Sequence, residues 1–287
     1  MNDFILYTDS ACDLPEDMLK NLGIHYRSLT FAFEGESEHG DREVPAKEFY
    51  AKMRAGGVAK TAAINTECFR EAFEEEIAAG HDILYIAFSS GLSTTYNSGR
   101  FALADLKDKY PDRKLIAVDS LCASAGFGLM VYLAAKKKAE GATIEEVEKF
   151  VLDTRLHICH WFTVDDLVYL KRGGRISPAA TLIGTMLGIK PVLHVDNEGH
   201  LVNVSKARGR QASIRALADH YGETALDKTG GTVFISNGDC IEDAETLRDI
   251  LAEEYGAKVE LITDVGPVIG AHSGPGTLAL FFVGSAR

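Results

Sequence analysis

The stretch SSGLSTTYNSG, Ser89 to Gly99, follows the apolar run DILYIAF and has no charged residue before Arg100. Hydroxyl groups at the carboxyl end of a strand can attack a substrate, cradle an anion or cap the next helix. Ligands in open α/β sheets sit outside the carboxyl ends of strands, and helix N-termini present free N–H groups to anions. A nucleophile elbow needs G-x-S-x-G, and Gly91 to Thr95 lacks the second glycine. A P-loop needs a Lys-Ser/Thr end, which is absent. Capping and ligand binding stay equally open on this stretch alone.

Five other stretches are candidates for chemistry. KTAAIN (Lys60 to Asn65) places Thr61 in what reads as an ordinary loop before a helix. YLKRGGRISPAATLIG combines Lys171, Arg172 and Arg175 with the Gly173-Gly174 turn and a Ser177-Pro178 helix start. Cation, backbone N–H concavity and helix terminus together make an anion site, with a basic surface turn as the equal alternative. GAHSGPG sets His272 in a glycine-rich bend before a strand, where close backbone approach to a partner is expected. HICHW holds His157, Cys159 and His160, but its compact spacing matches no pair-and-loop zinc pattern. Asp9-Ser10, after the first strand, reads as a cap for the following turn.

Alternating elements must position these residues. FILYT, ILYIAF and KLIAV are short apolar runs of the kind found in strands buried on both faces. Between and after them come helix signals: a start marked by Asp13 followed by Pro15 and Glu16, and a helix after Pro45. Another follows Thr66 with Phe69, Phe73 and Ile77 in register, and others run from about Leu92 and from Leu121 to Lys138. This is the rhythm of a parallel sheet covered by helices. Thr143 and Glu146 form a capping box for one more helix. Beyond it the rhythm changes. KPVLHV and HLVNVS flank the turn DNEG as a hairpin, and TVFIS, KVELI and LALFFV add strands around a helix from about Ile241 to Tyr255. The expected fold class is α/β in two domains: an N-terminal parallel-sheet α/β domain, residues 1–158, and a C-terminal α+β domain with a mixed sheet, residues 159–287.

Composition narrows the partners. The chain has 287 residues, 46% hydrophobic and 25% charged, with a net charge of −12. That charge argues against nucleic acid, which is gripped by clustered Lys and Arg, yet allows a local cationic pocket for an anion. Five scattered cysteines with no CxxC argue against a disulfide framework and for a reducing compartment. No signal peptide is expected, and the longest uncharged apolar run, LCASAGFGLMVYLAA, is short of the ~20 residues that span a bilayer. A cytoplasmic protein with no transmembrane segment, at most in transient membrane contact, is the expectation, with monomer as the default.

Taken in order, YTDSACDLP, KTAAIN, SSGLSTTY, VDS, YLKRGGRIS, GIKPVL and HSGPG closely resemble the DegV family of fatty-acid-binding proteins. The markers run from Thr8 to Gly276, nearly the whole chain. SSGLS, LKRGGRIS and HSGPG are weak singly and specific jointly. The resemblance implies a long-chain fatty acid held in an internal tunnel. It also implies that the protein is not itself an enzyme and needs no cofactor or metal. Its partner would be a dihydroxyacetone-kinase-like subunit of a fatty acid kinase, which phosphorylates the bound carboxylate with ATP; the acyl phosphate feeds phospholipid synthesis. The same resemblance assigns carboxylate binding to Thr61, Ser93 and His272, and head-group or kinase docking to Arg175 and Arg208. Two positions depart from the family pattern. Ala62 stands where a serine is common, and Thr94 where a glycine is, which implies one hydroxyl fewer and a narrower head-group end. No general base stands where a serine triad needs one, so the hydroxyls read as a carboxylate cradle. The alternatives are a lipid sensor or carrier without a kinase, and an enzyme acting on a small anionic substrate with His272 as acid and base.

Overall fold

The computed structural model describes residues 4–176 and 188–287. The chain opens with β1 (Phe4–Asp9), every residue of which is buried, a short 3-10 turn and α1 (Glu16–Asn21). β2 (Ile24–Arg27) returns parallel to β1. An excursion follows, in which β3 (Thr30–Phe33), β4 (His39–Gly40) and β5 (Ala59–Ala62) form a small antiparallel sheet in the order β4-β3-β5, with α2 (Ala46–Arg54) before β5. α3 (Thr66–Ala78), β6 (Asp82–Ala87), α4 (Thr95–Lys109) and β7 (Leu115–Asp119) restore the alternation. The first sheet has the order β2-β1-β6-β7 and is parallel throughout, as the continuous apolar runs predict.

α5 (Ser124–Ala139) and α6 (Ile144–Thr154) complete this half. α6 starts on the expected capping box, with both reciprocal hydrogen bonds present. α5 is apolar on nearly every side because it is packed on every side. It lies against the 3-10 turn after β1 and against three strands of the second sheet.

Those strands begin at Ile158. β8 (Ile158–Thr163) and α7 (Val168–Arg172) precede the hairpin of β9 (Ile189–Val195) and β10 (Leu201–Arg208). α8 (Arg210–Thr224), β11 (Val233–Asn237), α9 (Ile241–Tyr255), β12 (Val259–Asp264), α10 (Pro267–Ser273) and β13 (Leu278–Val283) follow. The sheet order is β10-β9-β8-β13-β11-β12, mixed because only β11 and β12 run parallel. The sheets change over at Ile158, but the core does not. One cluster of buried residues runs from Phe4 to Phe281 through both halves, and a second covers the other face of the mixed sheet under α8 and α9.

Several expectations are corrected. Asn65, not Thr66, caps α3 by accepting the Cys68 N–H at 2.8 Å, since an amide oxygen one position earlier reaches the free donor. Lys60 and Thr61 lie in strand β5, not in a loop, because β3 pairs with them across the excursion. α4 and α5 start three residues later than expected, at Thr95 and Ser124. His272 lies in the last turn of α10, a helix the glycine spacing conceals. The expected helix start at Ser177-Pro178 lies outside the described residues.

Candidate functional site

A cavity of about 550 Å³ lies between the mixed sheet and the loop that follows β6, with β5 and α10 beside it. Its floor is one face of the mixed sheet, read off by strand alternation: His160 and Phe162 on β8, then Thr277, Ala279 and Phe281 leading into and along β13. Phe88, Leu92, Val268 and Ile269 add apolar wall above it. Phe88, Phe162, Ala279 and Phe281 are buried, whereas Ala62, Ser90, Thr94 and Gly174 are exposed. The buried lining is mainly apolar but includes His160 and the hydroxyls of Ser124, Ser236, Ser273 and Thr277, and Ser90 and Thr94 stand at its exposed edge.

Four of the five residues singled out from sequence line this cavity: Thr61, Ser93, Arg175 and His272. Contacts join them in one arc. Thr61 Oγ1 lies 2.8 Å from His272 Nε2 across 211 residues of sequence. His272 Nδ1 is covered by Gly173, where a Cβ would stand only 2.1 Å away. The Arg175 guanidinium donates to the Gly173 carbonyl and, through Nε, to the Leu92 carbonyl at 3.2 Å, beside Ser93. Arg208 stands apart. It is exposed at the end of β10 and does not line the cavity.

His272 is held neutral. Burial pushes its pKa down to about 4, and the nearby Arg175 charge adds to the shift. Its Nδ1 is buried without a hydrogen-bond partner among the described residues. An orphaned N–H is rarer than an orphaned acceptor, so the proton belongs on Nε2, donated to Thr61 Oγ1. The Thr61 hydroxyl is then free to donate to a ligand. Gly173→Ala is expected to push His272 away from Thr61 and weaken ligand binding about tenfold, the cost of roughly one hydrogen bond. Folding is expected to be spared, since Gly173 has the helical φ of −72° that alanine adopts freely. Ligand titration beside a melting curve checks both halves.

Arg175 is a cation in need of an anion. It is half-buried, burial lowers its pKa, and among the described residues it has no carboxylate partner. Buried charge is normally paired. The Gly173-Gly174 turn, by contrast, is not an anion-binding concavity. The N–H groups of Gly173, Gly174 and Arg175 donate to the Tyr169, Lys171 and Leu170 carbonyls and close the end of α7.

The serine-rich loop splits its duties. Ser89 is fully buried and donates to the Gly199 carbonyl at 2.9 Å, while a Cβ on Gly91 would stand 2.8 Å from that same oxygen. These two residues dock the loop on the β9–β10 hairpin turn. Ser93 Oγ sits 2.8 Å from Thr95 Oγ1 and accepts the Thr95 N–H at 3.2 Å, so it helps start α4 and also faces the cavity. Asp9 is a buried cap, accepting from Ala11, Phe88 and Tyr85. His160 is used up within the protein: Nδ1 donates to the Ile158 carbonyl at 2.8 Å and Nε2 accepts from Ala123 N–H at 3.2 Å. Among the described residues no group of three His, Cys, Asp or Glu side chains is placed to hold a metal, and no helix is long and apolar enough to cross a membrane.

Residues 4–285 match the family model described as uncharacterised protein, DegV family. The chain belongs to the DegV family. A DegV domain-containing protein of Clostridium perfringens is 44% identical over 289 residues, covering 100% of this chain and 99% of that protein. Among solved structures, a DegV lipid-binding protein of Thermotoga maritima matches with a TM-score of 0.87 at 28% identity, covering 99% of each chain. A DegV family protein of Thermus thermophilus, whose structure is described by its fatty acid binding, matches with a TM-score of 0.87 at 28% identity, over 98% of this chain and 99% of that one. The family match therefore spans all three sheets and every described residue that lines the cavity.

Proposed function

We propose that this protein binds one long-chain fatty acid in the cavity, carboxylate at the mouth and acyl chain inside, and presents the carboxylate to a separate ATP-dependent kinase subunit. One observation carries the reading: a half-buried Arg175, with no carboxylate partner among the described residues, beside neutral hydroxyl donors on the wall of a mainly apolar cavity. An amphiphile with one negative end satisfies both parts. The Thermotoga and Thermus relatives, described as lipid-binding and fatty-acid-binding, support the same ligand class.

The cavity volume falls within the ~300–1,000 Å³ of small-molecule sites. About fourteen buried methylenes at ~0.8 kcal/mol each offer roughly 11 kcal/mol of gross burial before the costs of association. Thr61, Ser93 and His272 orient the head group, and Arg175 supplies the countercharge. The protein's own residues then make and break no bond. A carboxylate oxygen attacks the terminal phosphorus of ATP on the partner, the bond to ADP breaks, and acyl phosphate and ADP leave. Arg208, exposed and away from the cavity, serves the partner's docking in this scheme.

Denaturing extraction of freshly purified protein followed by mass spectrometry is expected to return one acyl chain per molecule. Repeated absence of any acyl chain, with no uptake of added palmitate, overturns the fatty-acid assignment. Uptake without acyl phosphate formation in the presence of ATP and a fatty acid kinase subunit would leave a lipid carrier and remove the kinase.

A further inference from the structure

We infer that Asp13 and Asp41, two buried carboxyl groups from separate segments of the first half, set the position of the head-group histidine by gripping the start of α10. The inference rests on reading the cavity as a fatty-acid site, because it assigns a task to residues that never touch the ligand.

Asp13 follows the 3-10 turn after β1, and Asp41 follows β4. Both are almost wholly buried, at 6% and 2% exposure. Each spends a carboxyl oxygen on the same short stretch of backbone. Asp13 Oδ1 accepts the Gly266 N–H at 3.0 Å, and Asp41 Oδ1 accepts the Val268 N–H at 2.7 Å. The first N–H groups of a helix have no partner within it, so these two acceptors fill places the helix itself leaves empty. Gly266 permits the approach. A Cβ there would stand 2.8 Å from Asp13 Oδ1 and 3.3 Å from Asp41 Oδ1. The Asp13 backbone carbonyl adds a third tie, accepting from the Thr263 hydroxyl at 3.1 Å.

The geometry carries this grip to the ligand site. α10 is only seven residues long and places His272 in its last turn. About 1.5 Å of rise per residue leaves some 6 Å between Val268 and His272, too short a rod to absorb a shift at its start. The arc Thr61–His272–Gly173 therefore sits where the two carboxyls hold it. Asp13 reaches the cavity by a second route as well. Its Oδ2 hydrogen-bonds the Ser124 hydroxyl at 2.5 Å, and Ser124 lies 3.1 Å from the Ser236 hydroxyl, both on the cavity wall. One carboxyl thus ties the start of α10 to the start of α5 and to β11. Asp13 and Asp41 are positioning residues, acting through α10 and not on the lipid.

The test compares Asp13→Ala and Asp41→Ala with Asp13→Asn and Asp41→Asn, and attacks the grip from the other side with Gly266→Ala. Palmitate affinity is read by titration, and the His272 imidazole by NMR of protein carrying labelled histidine. The alanine variants and Gly266→Ala are expected to weaken palmitate binding about tenfold and to shift the His272 resonances, leaving His194 in place. The asparagine variants, which keep an oxygen for each N–H, are expected to bind within about twofold of the parent. Folded alanine variants with unshifted His272 and parental affinity overturn the inference, as do asparagine variants no better than alanine. Should the alanine variants fail to fold, Gly266→Ala decides alone: parental affinity with an unshifted His272 overturns the grip. Should the parent take up no palmitate, the fatty-acid reading falls, and the His272 resonances in the same variants still decide whether the carboxyls position it.

Discussion

The melting temperature is expected to fall as the pH rises from about 6.5 to 8, and Asp13→Asn is expected to remove most of that fall. Burial pushes the Asp13 carboxyl up to about 8, with the neighbouring Asp41 adding to the shift; burial likewise raises Asp9 to about 7 and Asp41 to about 6. In the unfolded chain an aspartate titrates near 3.9. Folded protein therefore keeps protons that the unfolded chain has lost. Stability from such groups is complete below about pH 4 and is lost as the pH climbs through each folded pKa. Imidazoles pull the other way at the acid end. Burial lowers His160 well below its usual value and takes His194 and His272 down to about 4. These three stay neutral when folded and charge when unfolded, so they lose stability as the pH drops below about 6.5. Carboxyls and imidazoles offset one another between about pH 4 and 6.5. Above that only the raised carboxyls act, chiefly Asp13. A single group crossing about 1.5 pH units contributes roughly 2 kcal/mol, or several degrees in melting temperature for a chain of this size. Melting curves at intervals of half a pH unit check this. An Asp13→Asn protein with the parental slope between pH 6.5 and 8 would show that Asp13 is charged in the folded state.

Ser93→Ala and Thr61→Ala are expected to impair acyl phosphate formation far more than lipid retention. A hydrogen bond to a charged group contributes about 1.5–3 kcal/mol, small beside the gross burial of the acyl tail. Losing one bond should weaken binding by about one or two decades. Transfer is more exposed, because a misplacement of about 1 Å at the attacking oxygen costs roughly a hundredfold in rate. Thr61 is expected to matter more than Ser93. Its hydroxyl lies 2.8 Å from His272 Nε2 on the cavity wall, and Ala62 beside it offers no substitute. Ser93 also anchors the first N–H of α4, so its variant should melt slightly earlier as well. Lipid occupancy by mass spectrometry, together with acyl phosphate formation by a kinase subunit and ATP, separates the two effects. An empty Ser93→Ala protein would put the head group in charge of affinity. A filled one phosphorylated at the parental rate would leave Ser93 as a helix start alone.

Local signals in the chain determined much of this architecture. The apolar runs of β1, β6 and β7 announce a parallel sheet, DNEG marks the β9–β10 hairpin, and α9 occupies the expected span from Ile241 to Tyr255. Such signals act between neighbours a few residues apart, so they survive without knowledge of the fold. The joint motifs, spread from Thr8 to Gly276, were enough to point to the DegV family; of the five residues they singled out, Thr61, Ser93, Arg175 and His272 line the cavity and Arg208 does not. What each motif residue does was decided elsewhere. Ser89 and Gly91 look like Ser93 in sequence, yet they face the Gly199 turn more than 100 residues away. Lys60 and Thr61 have a loop's composition and become strand because β3 pairs with them. Gly173 reads as part of an anion turn and proves to be the surface against which His272 rests. Asp13 reads from sequence as part of a helix start, yet it and Asp41 hold the start of α10. In each case the partner is distant along the chain, and composition and periodicity are blind to it. Burial and hydrogen-bond satisfaction are properties of the closed fold, and only that fold distinguishes a helix cap from a ligand group.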